Sequence, residues 1–197
     1  MTEEFENLPQ EETQAKEPPR PGSELFDWFQ MIMYCILTAV LLFNCVARLT
    51  RVDGQSMDYT LQHGELTVVW SLGYTPEAGD IVVLNETTVK DMRNRAIVKR
   101  VIATGGQTVD IDYATSTVYV DGVALDEPYI KEPMVLPSLK AMQKTHWEVP
   151  EDHIFVLGDN RNASTDSRYD PLGVIEEGYV LGKVVLALWP PAKMGFI

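Results

Sequence analysis

The sequence predicts a mostly β domain joined to one N-terminal membrane-spanning helix. Residues 28–47 carry no charged side chain. After them, short runs of β-branched and apolar residues alternate with turn residues up to the C-terminus, which is typical of a β-rich domain. The chain has 197 residues, of which 45% are hydrophobic. This length suffices for one ordinary domain together with a tail and an anchor.

The first 24 residues are predicted to form a disordered acidic tail. They are rich in Glu, Pro and Gln, so they cannot bury enough apolar surface to offset the entropy lost on ordering. The run Pro-Pro-Arg-Pro-Gly at 18–22 marks a linker. The whole chain has a formal net charge of -13. Because nucleic acids require a basic surface, no nucleic-acid partner is expected.

A transmembrane helix is expected over residues 25–47. The uncharged stretch lies between Asp27 and Arg48, and twenty helical residues extend roughly 30 Å, the thickness of a bilayer's hydrocarbon core. The stretch has no polar face, which argues against a buried helix of a soluble domain. It is too long for a cleavable signal peptide, and no basic region precedes it.

Residues 48–197 are predicted to form the β-rich domain. The Asp121-Gly122 pair predicts a tight hairpin turn, and a short helix is expected around Leu139–Lys144. The candidate strands are Leu66–Trp70, Asp80–Asn85, Ala96–Ala103, Thr108–Asp112, Thr117–Val120, Ile154–Leu157 and Tyr179–Leu188.

The sequence predicts neither a disulfide nor a bound cofactor in the β-rich domain. The two cysteines, Cys35 and Cys45, both lie in the apolar stretch, so a disulfide or thiolate metal site cannot form elsewhere. There is no Gly-rich phosphate loop and no clustering of histidines. We therefore expect no metal and no other cofactor.

Ser56, Lys99 and the polar loop at 158–168 are the features that could carry chemistry. A serine hydroxyl is a poor nucleophile until a neighbour takes its proton. A lysine can do so when neutral, but at its reference pKa only about 1 in 2,500 lysines is neutral at pH 7. Burial lowers that pKa. Lys99 interrupts an apolar strand next to Arg100, and adjacent strand residues face opposite sides. The strand alone leaves open which of the two faces inward.

In their order along the chain, these features resemble bacterial type I signal peptidases, or leader peptidases, a family of serine proteases with a Ser-Lys dyad. The resemblance covers residues 25–197, and five short motifs in the family's order make it specific. The motifs are Gly-Gln-Ser-Met at 54–57, Gly-Asp-Ile-Val-Val at 79–83, Val-Lys-Arg-Val at 98–101, Gly-Asp-Asn-Arg at 158–161 and Ser-Thr-Asp-Ser-Arg at 164–168.

The resemblance implies roles for the matching residues. Ser56 matches the nucleophile, and its backbone N–H is expected to contribute to the oxyanion hole. Lys99 matches the general base. In the family a further serine orients the lysine, and an Asp-Arg pair braces the site. The supporting residues are accordingly expected to be Ser164, Asp166, Arg168 and Arg100.

The resemblance also implies a function and a location. The expected fold is a mostly β, partly open barrel-like catalytic domain. The expected activity is that of a membrane-bound serine endopeptidase that removes signal peptides from secreted preproteins after small residues of the Ala-X-Ala type. Signal peptides, the lipid bilayer and the secretion translocon are the expected partners.

The resemblance and the charge pattern disagree about topology. The family is single-pass in the cell membrane, with a cytoplasmic N-terminus and an extracytoplasmic catalytic domain. Arg48 and Arg51 follow the apolar stretch, so the charge rule taken alone favours a cytoplasmic C-terminal domain. Two arginines weigh little, and a protease for translocated preproteins has to face the translocated side. We therefore expect residues 1–24 in the cytoplasm and residues 48–197 outside it.

Some positions depart from the family pattern. Gly54 stands where some members have a serine that assists the oxyanion hole, and Tyr59 where a proline is common. Asn162-Ala163 and Gly105-Gly106-Gln107 also differ. The dyad is intact, so these departures concern fine geometry. Shallow substrate pockets are expected along 52–57 and 97–101, the accessory β-subdomain is expected to be small, and the rim around Trp70 or Trp189 is expected to reach lipid.

Three other protein classes were considered. A self-cleaving Ser-Lys repressor protease would need a DNA-binding domain, which the acidic tail and apolar stretch do not provide. A non-catalytic membrane-anchored scaffold would not need both Ser56 and Lys99, although sequence cannot show that the two side chains meet. A signal peptidase of the endoplasmic reticulum type would carry a histidine in place of Lys99.

Overall fold

The computed structural model describes residues 23–86 and 95–197, which divide into a helical unit ending at Val40 and a β-rich unit from Leu41. The predicted disordered tail lies outside the described residues except for its last two positions, so that prediction stays untested.

The helical unit contains helix α1, Ser23–Leu41. Its apolar side chains are exposed all round, as the absence of a polar face predicts. The window Glu24–Leu41 has a mean hydropathy of 1.4, so by length and composition the helix can cross a membrane. The predicted span extended to Ala47, whereas α1 ends at Leu41. A π-helical turn, Leu42–Val46, follows it.

The β-rich unit holds two sheets. Within the described residues its strands are β1 Ala47–Arg51, β2 Leu66–Trp70, β3 Ile81–Glu86, β4 Arg95–Thr104, β5 Thr108–Asp112, β6 Thr117–Val120, β7 Val123–Ala124, β8 His146–Glu148, β9 His153–Leu157, β10 Ile175–Glu176, β11 Val180–Trp189 and β12 Gly195–Phe196. Single 3-10 turns occupy Lys140–Met142, Arg161–Ala163, Glu177–Tyr179 and Pro191–Lys193.

The larger sheet is antiparallel and open. Its order is β1-β2-β11-β3-β4-β9-β10, with β12 paired to β11. β1 and β10 do not pair with each other, so the sheet forms a half-barrel. Register shifts in β11, between Val184 and Leu186, and in β4, between Val101 and Ala103, mark bulges that bend the strands. The predicted mostly β, partly open barrel-like fold is confirmed.

The smaller sheet has the order β7-β6-β5-β8 and corresponds to the small accessory subdomain. Its β6–β7 turn has Asp121 at φ 51° and Gly122 at φ 77°. Two successive positive φ angles match the right-handed twist of a hairpin, so the predicted tight turn is confirmed. Trp147 packs on Phe155 with ring centroids 4.9 Å apart, which joins this sheet to the larger one.

Two apolar clusters support the part of the larger sheet that bears the site. The first cluster contains Val98 of β4 together with three residues of the segment between β1 and β2, namely Val52, Met57 and Leu61. On the other face, side chains from β3, β4 and β9 form a second buried cluster. The same strand therefore contributes to the core on both faces, which fixes the orientation of every side chain along it.

Several short elements were not predicted. β1, β8, β10 and β12 have five residues or fewer, and their alternation of apolar and polar residues is too short to recognise. The helix expected around Leu139–Lys144 is a single 3-10 turn, and the other three 3-10 turns were not anticipated.

Candidate active site

Ser56 lies in a loop between β1 and β2 that the backbone closes. The N–H of Val52 donates to the carbonyl of Glu65 at 2.8 Å, and the N–H of Gly64 donates to the carbonyl of Val52 at 2.8 Å. The neighbouring Met57 is 1% exposed. Because the following side chain is held in the core, Ser56 is fixed at the surface of the sheet, half-buried.

Lys99 lies in the middle of β4 and reaches Ser56. Its side chain is buried, at 3% exposure, and its Nζ is 2.8 Å from the Ser56 Oγ and 3.0 Å from the Val98 carbonyl oxygen. Lys99 therefore faces inward and Arg100 faces the opposite side of the strand, which decides the question that the sequence left open. The two predicted dyad residues are within hydrogen-bond distance.

The surroundings of Lys99 favour its neutral form. The pKa of the Lys99 amine is lowered from 10.5 to about 8, mainly by burial. Among the nearby charges, Asp166 and Asp159 raise this pKa and Arg168 lowers it. At that pKa roughly a tenth of the amines are neutral at pH 7. Desolvation is thus the main reason that this lysine can act as a base near neutral pH.

Asp166 and Arg168 form a buried ion pair, as expected. Nε of Arg168 donates to Oδ1 of Asp166 at 2.8 Å, and Nη2 donates to Oδ2 at 2.9 Å. The Gly158 N–H also donates to Asp166, at 3.1 Å, and Arg168 donates to the Arg161 carbonyl at 2.6 Å. Burial raises the pKa of Asp166, but the charge and hydrogen bonds of Arg168 outweigh it and hold that pKa below its usual value. Through these bonds the pair connects Gly158 and Arg161, at the start of the polar loop, with Asp166 and Arg168 at its end.

Ser164 does not make its expected contact with the lysine. Its Oγ is buried and makes no hydrogen bond to Lys99; it acts instead on the Asp166 carboxylate, whose pKa it lowers. It also packs against Gly158: a Cβ on that glycine would lie 2.3 Å from the Ser164 Oγ and 2.5 Å from the Ser56 carbonyl oxygen. Ser164 therefore lies next to the loop that carries Ser56, but it makes no hydrogen bond that would orient Lys99.

Arg100 supports the site from the opposite face of β4. Its guanidinium binds Asp159 through two hydrogen bonds of 2.9 and 2.7 Å and also donates to the Gly79 carbonyl at 2.8 Å. Asp159 in turn accepts a hydrogen bond from the hydroxyl of Thr60 at 2.5 Å. Arg100 is thus linked to the nucleophile loop through a buried carboxylate. It makes no hydrogen bond to Ser56 or Lys99 in the described structure.

Asn160, to which the sequence motifs gave no role, directly contacts the loop that carries Ser56. The Asn160 N–H donates to the Ser56 carbonyl at 2.9 Å, and its side-chain Nδ2 donates to the Gln55 carbonyl at 3.0 Å. The sequence did contain a feature that could have indicated this contact: after the buried strand β9 and Gly158 come three consecutive polar residues, Asp159, Asn160 and Arg161. All three are at most 3% exposed, which is unusual for such residues.

The backbone around Ser56 explains two departures from the family pattern. Gly54 has φ +102°, where a serine would be strained. Tyr59 has φ +95°, which proline cannot adopt because its ring fixes φ near -65°. The Ser56 N–H donates to no group in the part of the chain that the structure describes. It is free to donate to a ligand.

The family model described as "Signal peptidase, peptidase S26" matches residues 25–189. The chain belongs to this family. The resemblance that the sequence motifs indicated is confirmed.

Curated relatives match over most of the chain. A probable signal peptidase I-2 from Synechocystis is 32% identical over 197 residues, covering 98% of this chain and 85% of that protein. Signal peptidase IB from Staphylococcus aureus is 31% identical over 185 residues, covering 85% of this chain and 91% of that protein. A solved signal peptidase I from Enterococcus faecalis is 31% identical, with a TM-score of 0.44, and covers 56% of this chain and 97% of that one.

Family membership makes the chain a serine endopeptidase, a hydrolase that acts on the signal peptides of exported proteins. This identification removes the repressor-protease and scaffold alternatives. Residues 23–86 and 95–197 contain no group of three or more His, Cys, Asp or Glu side chains suited to a metal.

Proposed function

We propose that this signal peptidase cleaves preproteins with a Ser56–Lys99 dyad, after small residues of the Ala-X-Ala type. The observation that carries the proposal is the 2.8 Å distance between the Lys99 Nζ and the Ser56 Oγ. A buried lysine in contact with a serine hydroxyl combines a lowered pKa with the geometry that proton transfer needs.

Acylation begins when the neutral Lys99 amine takes the proton of the Ser56 hydroxyl. The oxygen then attacks the scissile carbonyl carbon, and the negative charge on the carbonyl oxygen is stabilised by the Ser56 N–H. The Lys99 ammonium gives its proton to the leaving amine, which releases the mature protein. The signal peptide remains attached to Ser56 as an ester.

Deacylation uses the same base. Lys99, neutral again, takes a proton from a water molecule, and the resulting hydroxide attacks the ester carbonyl. The Lys99 proton then returns to the Ser56 oxygen, which leaves. The Asp166–Arg168 pair keeps a carboxylate and a guanidinium at fixed positions near the lysine, so the net electrostatic effect on its amine changes little during the cycle.

We link the proposed preference for small residues to the packing of the segments expected to form the substrate pockets, 52–57 and 97–101. Val52, Met57 and Val98 in these segments are buried in one cluster. Little open volume is therefore left beside them, so an alanine methyl fits and a larger side chain would require the core to rearrange.

The membrane part of the proposal rests on α1. We propose that this helix spans the cell membrane once, with residues 1–24 in the cytoplasm and the β-rich unit outside, beside the lipid surface and the secretion translocon. Trp70 and Trp189, which are 42% and 57% exposed, suit contact with lipid headgroups.

The test is cleavage of a preprotein carrying Ala-X-Ala before its mature start, with the full chain in detergent or liposomes. Ser56→Ala and Lys99→Ala are each expected to lower kcat/KM by at least roughly a thousandfold. Lys144→Ala, which removes an exposed lysine, is the matched control and should cleave like the wild type.

Two outcomes would contradict parts of this proposal. If only Ser56→Ala is inactive, another base serves the serine. If folded, membrane-inserted wild type leaves several such preproteins intact, the proposed substrate specificity is wrong.

A further inference from the structure

A cavity of about 300 Å³ opens beside the active-site loop, next to Ser164. Leu136, Leu139 and Met142 line one side, and Asn162 and Ser164 line the other. Its volume is at the low end of ligand pockets, so it suits one or two amino-acid side chains. None of the proposed catalytic steps uses it.

The outer wall of this cavity, residues 133–142, is held in place by hydrogen bonds. The Asn162 side chain accepts from the Val135 N–H at 3.0 Å and donates to the Pro133 carbonyl at 3.0 Å. Met134 is 2% exposed, and its N–H donates to the hydroxyl of Ser116 at 2.5 Å. The cavity is therefore formed before any ligand binds.

The cavity is apolar on its outer side and uncharged overall at its inner side. Leu136 and Leu139 remain 56% and 54% exposed. Arg161 contributes to the lining, but its guanidinium is paired with the buried carboxylate of Glu127. Because that charge is neutralised inside the protein, a charged ligand gains nothing there, and an apolar group buries surface.

Ser164 lies at the inner end of the cavity. Its Oγ is buried against Gly158 and acts on the Asp166 carboxylate, whose pKa it lowers, so it offers a ligand no free polar group. The chain that has to lie beside Ser56 during cleavage is the substrate peptide, so the apolar group that suits this cavity is an amino-acid side chain.

The cavity is close to the reacting serine. The position of a Gly158 Cβ lies 2.3 Å from the Ser164 Oγ and 2.5 Å from the Ser56 carbonyl oxygen, so those two oxygens are no more than 4.8 Å apart. An extended peptide advances about 3.3 Å per residue. The cavity is thus within one to three residues of a bond held at Ser56.

The position of the general base indicates which side of that bond faces the cavity. Lys99 delivers its proton to the leaving amine, so the mature part of the substrate departs on the lysine side of Ser56. Ser164 belongs to the same loop as Asp166 and Arg168, whose charges act on the Lys99 amine. The Ser164 hydroxyl acts on that same Asp166, so we assign the cavity beyond Ser164 to the mature part.

We propose that this cavity is a specificity site for one apolar side chain within the first three residues of the mature protein. The inference rests on the proposed function and adds to it a preference on the far side of the scissile bond. Leu136 and Leu139 contact the side chain, and Ser164 lies at the inner end of the cavity.

The experiment uses the full chain and preproteins that share one signal peptide ending in Ala-X-Ala. Mature positions one to three are replaced singly by Leu, Gly or Asp, and kcat/KM is measured for each substrate. At one position the wild type should prefer Leu over Gly by roughly tenfold, with Asp no better than Gly. In a Leu136→Ser/Leu139→Ser variant that ratio should fall towards one.

Leu72→Ser is the matched control, because Leu72 is also 56% exposed and does not line the cavity. It should keep the full preference. Equal cleavage of Leu, Gly and Asp substrates at all three positions overturns the inference alone, and so does a preference that survives in the double variant. If no preprotein is cleaved at all, the proposed function fails and the inference falls with it.

Discussion

At the scale of single residues, the site depends on removing one lysine amine from water. Burial is the largest influence on the Lys99 pKa, and the inward direction of the side chain follows from its position in β4. Ser56 contributes a hydroxyl and a free backbone N–H at the same point. In the proposed mechanism two residues thus supply nucleophile, base and oxyanion donor, which requires the surrounding backbone to be held in place.

The pH dependence of cleavage follows from the lysine. Because Lys99 has to be neutral to accept the Ser56 proton, kcat/KM should rise with pH, about tenfold per unit below the pKa, and level off above about 8. A rate profile between pH 6 and 10 on a substrate without titratable groups near the scissile bond measures this. His63→Gln should leave the profile in place. An inflection that disappears in His63→Gln would show that a histidine is the base.

Gly158 is the second residue whose substitution gives a sharp prediction. A Cβ would lie 2.3 Å from the Ser164 Oγ and 2.5 Å from the Ser56 carbonyl oxygen, and a backbone carbonyl cannot move without displacing the nucleophile. Gly158→Ala should lower kcat/KM about a hundredfold and reduce the free energy of unfolding by about 1–3 kcal/mol. Cleavage assays and thermal melts measure both.

Gly195→Ala is the control for this substitution, since a Cβ there meets nothing within 4 Å. It should behave like the wild type. Near-normal cleavage by Gly158→Ala would show that the loop and the nucleophile do not pack as tightly as the structure has them.

At the scale of elements, three segments distant in sequence meet at the site. The loop after β1 carries Ser56, β4 carries Lys99, and the turn after β9 carries the residues that fix the other two. Asn160 donates a hydrogen bond to the loop that carries Ser56. Asp159 accepts hydrogen bonds from Arg100 of β4 and from Thr60 of that loop. The turn after β9 is therefore the element that sets the position of the serine relative to the lysine.

This arrangement makes the Asn160 side chain a positioning group. Asn160→Ala removes its 3.0 Å hydrogen bond to the Gln55 carbonyl and leaves the backbone bond to Ser56 in place. The loop should become less well placed, so kcat should fall roughly ten- to a hundredfold with KM changed less than about twofold. Stability should fall by about 1 kcal/mol.

Steady-state kinetics on one preprotein separates kcat from KM. Asn85→Ala, at an exposed position of β3, is the control and should match the wild type. An Asn160→Ala variant that changes KM alone would indicate that the side chain contacts substrate and does not position the nucleophile.

At the scale of the whole molecule, the open question is the side of the membrane on which the β-rich unit lies. The basic residues Arg48 and Arg51 follow the apolar helix, and the charge rule would keep them in the cytoplasm. A peptidase that acts on exported proteins meets its substrates on the other side. Because the substrates are met on that side, we expect the β-rich unit to lie outside the cytoplasm.

Cysteine labelling decides the topology. In a Cys35→Ala/Cys45→Ala background, Lys144→Cys at an exposed site should react with a membrane-impermeant maleimide in intact cells. Thr13→Cys, in the acidic tail, should react only after lysis. The reverse pattern would place the β-rich unit in the cytoplasm and contradict the proposed location.

The sequence by itself determined the family and the β-rich class, and it predicted the main site residues. Motif order and residue type carry that information locally: an uncharged run of bilayer length, β-branched strands between turns, and a lysine inside an apolar strand. The predicted strands from Leu66 to Asp112 needed nothing beyond their own patterns. The short edge strands were missed because they are stabilised by pairing with neighbours rather than by their own composition.

Only the tertiary structure decided which of these residues meet. Lys99 rather than Arg100 reaches Ser56 because of the register of β4 in the sheet. Asn160 contacts the loop that carries Ser56 because a turn 104 positions after Ser56 in the sequence folds back onto that loop. Ser164 was expected to contact the lysine, yet its hydroxyl packs against Gly158. Contacts between distant segments are set by packing and register, and a local pattern does not encode them.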